Sequence, residues 1–303
     1  MPHLPQVETP KPIYSNLQNE CCFIRSPTGD NKVPIEIDSE IRVFSEDEFH
    51  ALAHEVMGVV FGVHNDFGRL MDEEIYKQAI RRRCEAAGIV PACREVQIKV
   101  RHEQFEKSFF MDLLFSSGLM IEAKTIEALN NAHHTQTLHY LLLAGMQHGL
   151  LINMRSSKVK KRYVSTTLNV SERRRFFVHD SDWQSINEPS QRLRDVLLGL
   201  LGDWGAFLQT SLYREAIVHV FGGASVALRR IPIYDGDATL GTHEVCLIAD
   251  DTALALTTLK DGESQMKDHL QRFLGHTTLG CVQWINMHHH DIEFRTLTKG
   301  MAE

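Results

Sequence analysis

The residues of this 303-residue chain that could do chemistry together are Asp112, Glu122 and Lys124. Glu122 and Lys124 flank Ala123 at the end of the apolar run Leu119–Ala123. Alternate side chains of a strand share a face, so the acid and the base stand side by side with Ala123 opposite. Asp112 lies in a second apolar run, Phe109–Phe115, joined to the first by Ser116-Ser117-Gly118. A hairpin about that turn sets Asp112 across from the Glu122 region. Two carboxylates there can share a hard divalent ion such as Mg²⁺ or Mn²⁺. Lys124 could orient or help deprotonate an attacking water, or offset charge growing on a phosphate. The alternative is a buried ion pair without activity. Leu113, Leu114, Met120 and Ile121 make both strands apolar, and charges in such strands are costly unless paired or liganded.

The elements that must hold this cluster follow from hydrophobic period. Residues 1–45 contain most of the nine prolines and read as an extended arm with one short strand at Pro34–Ile37. From Glu46, the residues Phe49, Leu52, Val56, Val59, Val60 and Val63 recur at helical spacing, and Ser45 before Glu46 and Glu48 suits a helix start. A second helix follows Phe67-Gly68, running from Met71 to Ala87 with Ile75, Ala79 and Ile80 inward. After Pro91 the period becomes two at Val96, Ile98 and Val100, and the hairpin follows. Ala132–Gly145 returns to helical spacing through Leu138, Leu141 and Leu142, and Leu150–Met154 and Val159–Thr166 read as strands.

Net charge is −7, so no overall basic balance draws the chain to nucleic acid, and such a contact requires a local patch. Lys158, Lys160, Lys161 and Arg162, followed by Arg173-Arg174-Arg175, supply a basic edge that could hold a phosphate backbone. The six cysteines, Cys21, Cys22, Cys84, Cys93, Cys246 and Cys281, form no CxxC pair and read as free thiols of a reducing compartment. The opening MPHLPQVETPKPIYSN lacks the apolar run of a signal peptide, and no later stretch is long and apolar enough to span a bilayer. The expected location is cytoplasmic.

Several short motifs now group together: Val63-His64 before Phe67-Gly68, Glu73-x-x-Tyr76, Asp112-Leu113-Leu114, Ile121-Glu122-Ala123-Lys124, Gln136-x-x-x-Tyr140 and Leu151-Ile152-Asn153. With them, the stretch from Phe49 to about Thr166 resembles the GxxExxY family, a branch of the PD-(D/E)XK nuclease superfamily related to RecB-like exonucleases. Leu70 stands where the first glycine of the naming motif belongs. The resemblance implies a restriction-endonuclease-like α/β fold, a mixed sheet flanked by helices. It implies a Mg²⁺- or Mn²⁺-dependent nuclease, with DNA the expected substrate. It adds the Ala123 carbonyl to the oxygens that hold the metal, places Glu73 beside it, makes Gln136 and Tyr140 an ordering pair for the site and bound strand, and makes His64 an additional metal ligand.

A second copy of the pattern lies downstream. Gly62–Gly68 lines up with Gly199–Gly205, Tyr76 with Tyr213, Ala79 with Ala216, Gln136–Leu141 with His269–Leu274, and Ile152-Asn153-Met154 with Ile285-Asn286-Met287. In this register His64 becomes Leu201, Glu73 becomes Thr210, Gln136 becomes His269 and Tyr140 becomes Phe273. Asp112 falls on Cys246 or Leu247, Glu122 on Leu256 or Thr257, and Lys124 on Thr258 or Leu259. Every candidate site residue is replaced while glycines and strand hydrophobics persist. The expectation is two tandem domains, 46–170 carrying the site and 189–303 lacking it, joined by a linker at 171–188. His288-His289-His290 reads as a loop triplet or alternating strand residues. The rival readings are a non-catalytic nucleic-acid-binding or regulatory protein, and an accessory subunit of a defence or repair complex. Pairing of the chain as a homodimer is also open.

Overall fold

The computed structural model describes residues 33–300, so most of the expected arm lies outside the described residues; its short strand, β1 (Ile35–Ile37), is present. Helix α1 (Glu46–Phe67) begins where the Ser45 side chain accepts a hydrogen bond from the Glu48 N–H and the Glu48 carboxylate accepts one from the Ser45 N–H, closing a capping box. It buries Phe49, Ala53, Val56, Met57, Val60 and Val63. Helix α2 (Glu73–Ala86) turns Tyr76, Lys77, Ile80 and Cys84 inward, leaving Ile75 exposed. The rotation differs from the expected inward face because the Tyr76 hydroxyl reaches back to the Gly68 carbonyl at 2.7 Å, fixing which side of the helix meets the sheet.

The chain then forms β2 (Ala92–His102), β3 (Phe105–Phe115), β4 (Leu119–Lys124), α3 (Asn131–Ala144), β5 (His148–Asn153) and β6 (Lys160–Ser165). These strands join β1 in a six-stranded sheet of order β1-β2-β3-β4-β5-β6. Its pairs are antiparallel except β4 with β5. A parallel pair needs a crossover, and α3 supplies it.

Beyond it come α4 (Val170–Arg173), β7 (Phe177–Asp182), α5 (Glu188–Trp204), α6 (Thr210–Val220), α7 (Ala224–Ala227), β8 (Leu228–Asp235), β9 (Ala238–Ala249), β10 (Thr252–Thr257), α8 (Glu263–Gly275), β11 (Cys281–His288) and β12 (Asp291–Thr298). The second sheet has the order β7-β12-β11-β10-β9-β8. From β8 to β12 it repeats the first sheet's sequence of pairings, with β10 and β11 parallel across α8. Residues 171–188, expected as a linker, instead supply β7, which lies parallel to β12 at the sheet edge.

Three polar devices recur in both halves. The Gly68 N–H bonds to the His64 carbonyl and the Gly205 N–H to the Leu201 carbonyl, each at 2.9 Å. Tyr213 donates to the Gly205 carbonyl as Tyr76 does to that of Gly68. Asn153 grips the backbone of Ile126 from both sides, donating at 2.7 Å and accepting at 3.2 Å. Asn286 grips Leu259 likewise, at 3.0 and 2.7 Å.

One core lies between α1, α2 and the first sheet, and another between the second sheet and α8. The largest spans both halves: Leu114, Met120 and Leu151 of the first sheet and Leu141 of α3 join Leu197 and Trp204 of α5, Tyr213 of α6 and Ile285 of the second sheet. Arg173, expected on the basic edge, is buried here and donates to the Trp204 carbonyl at 2.8 Å. Arg174 donates to the Asp203 carbonyl at 2.9 Å, so both satisfy terminal carbonyls of α5 at its negative dipole end. Burial lowers the Arg173 pKa to about 10, and it stays charged near neutrality. Among the described residues, no helix is long and apolar enough to cross a membrane.

A core shared this way predicts one cooperative unfolding transition. The tryptophans, Trp183, Trp204 and Trp284, all lie in the second half, so urea titrations followed by tryptophan fluorescence and far-ultraviolet circular dichroism should coincide. Separate midpoints would refute the coupling. Leu197→Ala should lower stability by about 2–5 kcal/mol without splitting the transition, and Asn153→Ala and Asn286→Ala should each cost about 1–3 kcal/mol.

Candidate active site

The site forms where β3 and β4 part. Their ladder runs Phe115↔Leu119, Leu114↔Met120 and Leu113↔Ile121. One step further Asp112 faces Glu122, and there the Asp112 Oδ2 atom itself accepts the Ala123 N–H at 2.9 Å. A side chain thus takes over a backbone donor at the mouth of a fork. Asp112 and Glu122 are only 7% and 1% exposed. The Lys124 Nζ lies 2.7 Å from Glu122 Oε1, while Glu122 Oε2 is buried without a hydrogen-bond partner. Burial, and then the Asp112 charge, push the Glu122 pKa up to about 7; Lys124 pulls the other way. Burial disfavours the Lys124 charge, but Glu122 outweighs it and raises the lysine above its ordinary value.

Glu73 opens α2 beside the end of β4. Burial raises its pKa, against the pull of Lys124 and a hydrogen bond from the Thr125 backbone. On the α3 side, Gln136 Nε2 donates to the Tyr140 hydroxyl at 3.0 Å. Burial raises the Tyr140 pKa, as does the Glu122 charge, which places the ring next to the fork. Asp112, Glu122, Lys124, Glu73, Gln136 and Tyr140 therefore gather from two strands and two helices. His64 has a different partner: its Nε2 meets the Ser156 carbonyl at 3.0 Å, tying α1 to the loop after β5.

Lys77 was not among the expected site residues. It is buried on the inward face of α2, with Nζ 3.1 Å from Asp112 Oδ1 and further ion pairs to Glu74 and Glu95. Burial opposes its charge, but those carboxylates hold its pKa above the ordinary lysine range. The spacing of Tyr76, Ile80 and Cys84 carries the signal for that face, with Lys77 adjoining it.

Among the described residues, no three Asp, Glu, His or Cys side chains already form a metal cage. Lys77 and Lys124 engage one oxygen each of Asp112 and Glu122. The donor set still fits a magnesium-type ion, which takes one or two carboxylates and keeps several waters. The orphaned Glu122 Oε2 is the oxygen such an ion would satisfy.

Lys158, Lys160, Lys161 and Arg162 are exposed on and before β6, the free edge of the sheet, and none has an ion-pair partner within 4.0 Å among the described residues. Lys161 lies over the Tyr163 ring, 5.1 Å from its centroid. Arg162 lies toward α3: with burial first, its charge lowers the pKa of His134. Of the histidine triplet, His289 and His290 pack against Phe207 and His288 stacks on His289, while His290 Nδ1 lies 2.5 Å from the Arg175 carbonyl.

Strand pairing fixes the equivalent positions in the second half. Glu122 pairs with Leu151 as Ala255 pairs with Trp284, and Lys124 with Asn153 as Thr257 with Asn286. Leu113 opposes Ile121 as Cys246 opposes Leu254, so Asp112 corresponds to Val245. The expected matches at 246–247, 256–257 and 258–259 are therefore one to two residues late. The offset between the halves is the same at β9, β10 and β11, where the sequence matches alone let it drift toward α8.

Residues 50–165 match a family model described as the PD-(D/E)XK nuclease superfamily. Neither the curated proteins nor the solved structures include a match to the chain.

The proton on Glu122 has a measurable consequence. With its pKa raised from 4.5 to about 7, it contributes stability fully present below the lower value and lost as pH rises through the higher. The metal-free protein should therefore lose thermal stability from about pH 5 to 8 relative to Glu122→Gln. Mn²⁺ affinity, which needs the carboxylate, should rise over the same window. Calorimetry showing pH-independent Mn²⁺ binding would overturn the assignment.

Proposed function

We propose that this chain is a divalent-metal-dependent nuclease that hydrolyses phosphodiester bonds of nucleic acid, DNA foremost, at the fork of the first sheet. The observation that carries the reading is the convergence of Asp112, Glu122 and Lys124 where β3 and β4 part, with Glu122 Oε2 buried and unpartnered. The match of residues 50–165 to the PD-(D/E)XK nuclease superfamily supports it.

Asp112, Glu122 and the Ala123 carbonyl would hold Mg²⁺ or Mn²⁺, with Glu73 at the rim. When bound, the ion supplies Lewis-acid polarisation of the phosphoryl oxygens. Lys124, steadied by Glu122, orients the attacking water and offsets charge growing on the phosphate. Gln136 and Tyr140 wall the site from α3 and order the strand, while Lys77 holds Asp112 in place. The exposed cations of 158–162 hold the backbone leading away from the site. The second half, with the same pairing order and the same Gly, Tyr and Asn devices, is read as a tandem copy that has lost this chemistry.

The rival is a non-catalytic binding protein, favoured by the ion pairs that already engage Asp112 and Glu122. Labelled single- and double-stranded DNA and RNA, incubated with Mg²⁺, Mn²⁺ or EDTA, separate the two. Metal-dependent cleavage should fall by about two orders of magnitude or more in Glu122→Gln and Lys124→Ala. Activity that survives both substitutions would remove the chemistry from this fork.

Neutralising Lys160, Lys161 and Arg162 together should weaken binding to all sequences alike and lower the salt slope by about 2–3, measured by fluorescence anisotropy from low to moderate salt. An unchanged slope would show that the backbone runs elsewhere.

A further inference from the structure

The second sheet has its own fork, and the fork is open. Between the diverging ends of β9 and β10 lies a cavity of about 270 Å³ whose lining includes Arg214, Val245, Cys246, Ala255, Leu270 and Phe273. Val245 and Ala255 stand where the first half has Asp112 and Glu122. Thr210, at the start of α6, stands where Glu73 opens α2. Three carboxylates of the first fork thus have neutral counterparts in the second.

Its cation from the helix remains. The glycine cap and tyrosine shared by the two helix pairs put Arg214 at the position of Lys77. Lys77 is buried and neutralised by Glu74, Glu95 and Asp112. Arg214 is exposed, lines the cavity, and has no ion-pair partner within 4.0 Å among the described residues. The Cys246 thiol lines the same cavity; burial raises its pKa and the Arg214 charge opposes the rise. Glu244, at the mouth, stands opposite Arg230 in the β8–β9 ladder. Phe273, where the first half has Tyr140, meets His243 edge-on at 5.8 Å and gives the cavity an aromatic wall.

A fork that in the first half suits a cation has therefore become an apolar recess with a free guanidinium. We infer that it is a binding site for a nucleoside 5′-monophosphate, free or as the 5′-phosphorylated end of a strand. The base packs against Phe273, Leu270 and Ala255, and the phosphate pairs with Arg214. Guanidinium geometry suits a phosphate through two parallel hydrogen bonds, and aromatic walls take any base with little sequence preference. The choice of a nucleotide among small aromatic anions rests on the nuclease reading of the first half; the charge inversion does not.

The test is calorimetric titration of the full chain, without metal, with a nucleoside 5′-monophosphate, the parent nucleoside and inorganic phosphate. Short oligonucleotides with and without a 5′-phosphate form the second arm. The monophosphate should bind more tightly than either fragment, and the 5′-phosphate should strengthen oligonucleotide binding if strand ends are the source. Arg214→Gln should weaken binding about tenfold or more, and Ala255→Phe, which fills the recess, should abolish it. Arg214→Lys, which keeps the charge but not the two parallel hydrogen bonds, should weaken it less than Arg214→Gln does, and Glu122→Gln should leave it unchanged. Circular dichroism of each variant identifies any that fail to fold, and the Arg214→Lys comparison then decides. No binding by the wild-type chain, or binding indifferent to Arg214→Gln and Ala255→Phe, would overturn the proposal. Loss of binding in Glu122→Gln would move the ligand to the first fork. Metal-dependent cleavage abolished by Glu122→Gln, with no nucleotide bound at the second fork, would leave the nuclease reading standing and this one refuted.

Discussion

The arrangement depends on the hydrogen bond from the Ala123 N–H to the Asp112 carboxylate. A backbone donor buried at the end of a ladder has to find an acceptor. Here a side chain supplies it, so the strands can part without orphaning the donor. The same carboxylate is held on its other oxygen by Lys77. That leaves Glu122 facing the gap with one oxygen engaged by Lys124 and one unpartnered. Each charge is tolerable in apolar strands because another lies beside it, and the helices bring those partners.

Those helices are in turn set by contacts distant from the chemistry. The Tyr76 hydroxyl on the Gly68 carbonyl fixes the rotation of α2, and that rotation turns Lys77 toward Asp112. Asn153 clamps Ile126 just beyond Lys124, so the end of β4 has a defined exit. Helix α3 has Gln136 and Tyr140 beside the fork, while Leu141 joins the core shared with α5 and α6. The second half therefore packs behind the wall of the site, coupling its stability to the geometry of the first.

Much of this was legible in the chain. Period-two and period-four hydrophobicity placed the helices and strands of the first half, and the Glu122–Ala123–Lys124 alternation gave the correct face. What escaped were features decided by tertiary contacts. Hydrophobic spacing alone points Ile75 inward because a short helix has several apolar faces, and only the tyrosine bond selects among them. Arg173 looked like one of three solvated cations; its burial depends on the terminal carbonyls of α5, more than thirty residues away in sequence. β7 carries little hydrophobic alternation because it is an edge strand, so its segment resembled a linker. The register of the second half is displaced by one to two residues because isolated sequence matches do not show where between them the offset changes.

The second fork lacks the whole charged set of the first, and that all-or-none difference has a physical basis. Deleting one member of a buried charged cluster strands the others and typically costs several kcal/mol, whereas replacing the cluster with packed apolar groups is often neutral. A fork without Asp112 alone would take from Lys77 one of its three carboxylates and leave the Ala123 N–H without its acceptor. The stable alternatives are the whole cluster or none of it. Val245, Ala255 and Thr257 represent the second case, and the cation beside them is one that reaches solvent. Arg214 can stand alone at the position of Lys77 because exposure removes the desolvation cost that makes its buried counterpart dependent on three carboxylates. Burial thus determines which charges can be lost singly, and the two forks show both outcomes on one framework.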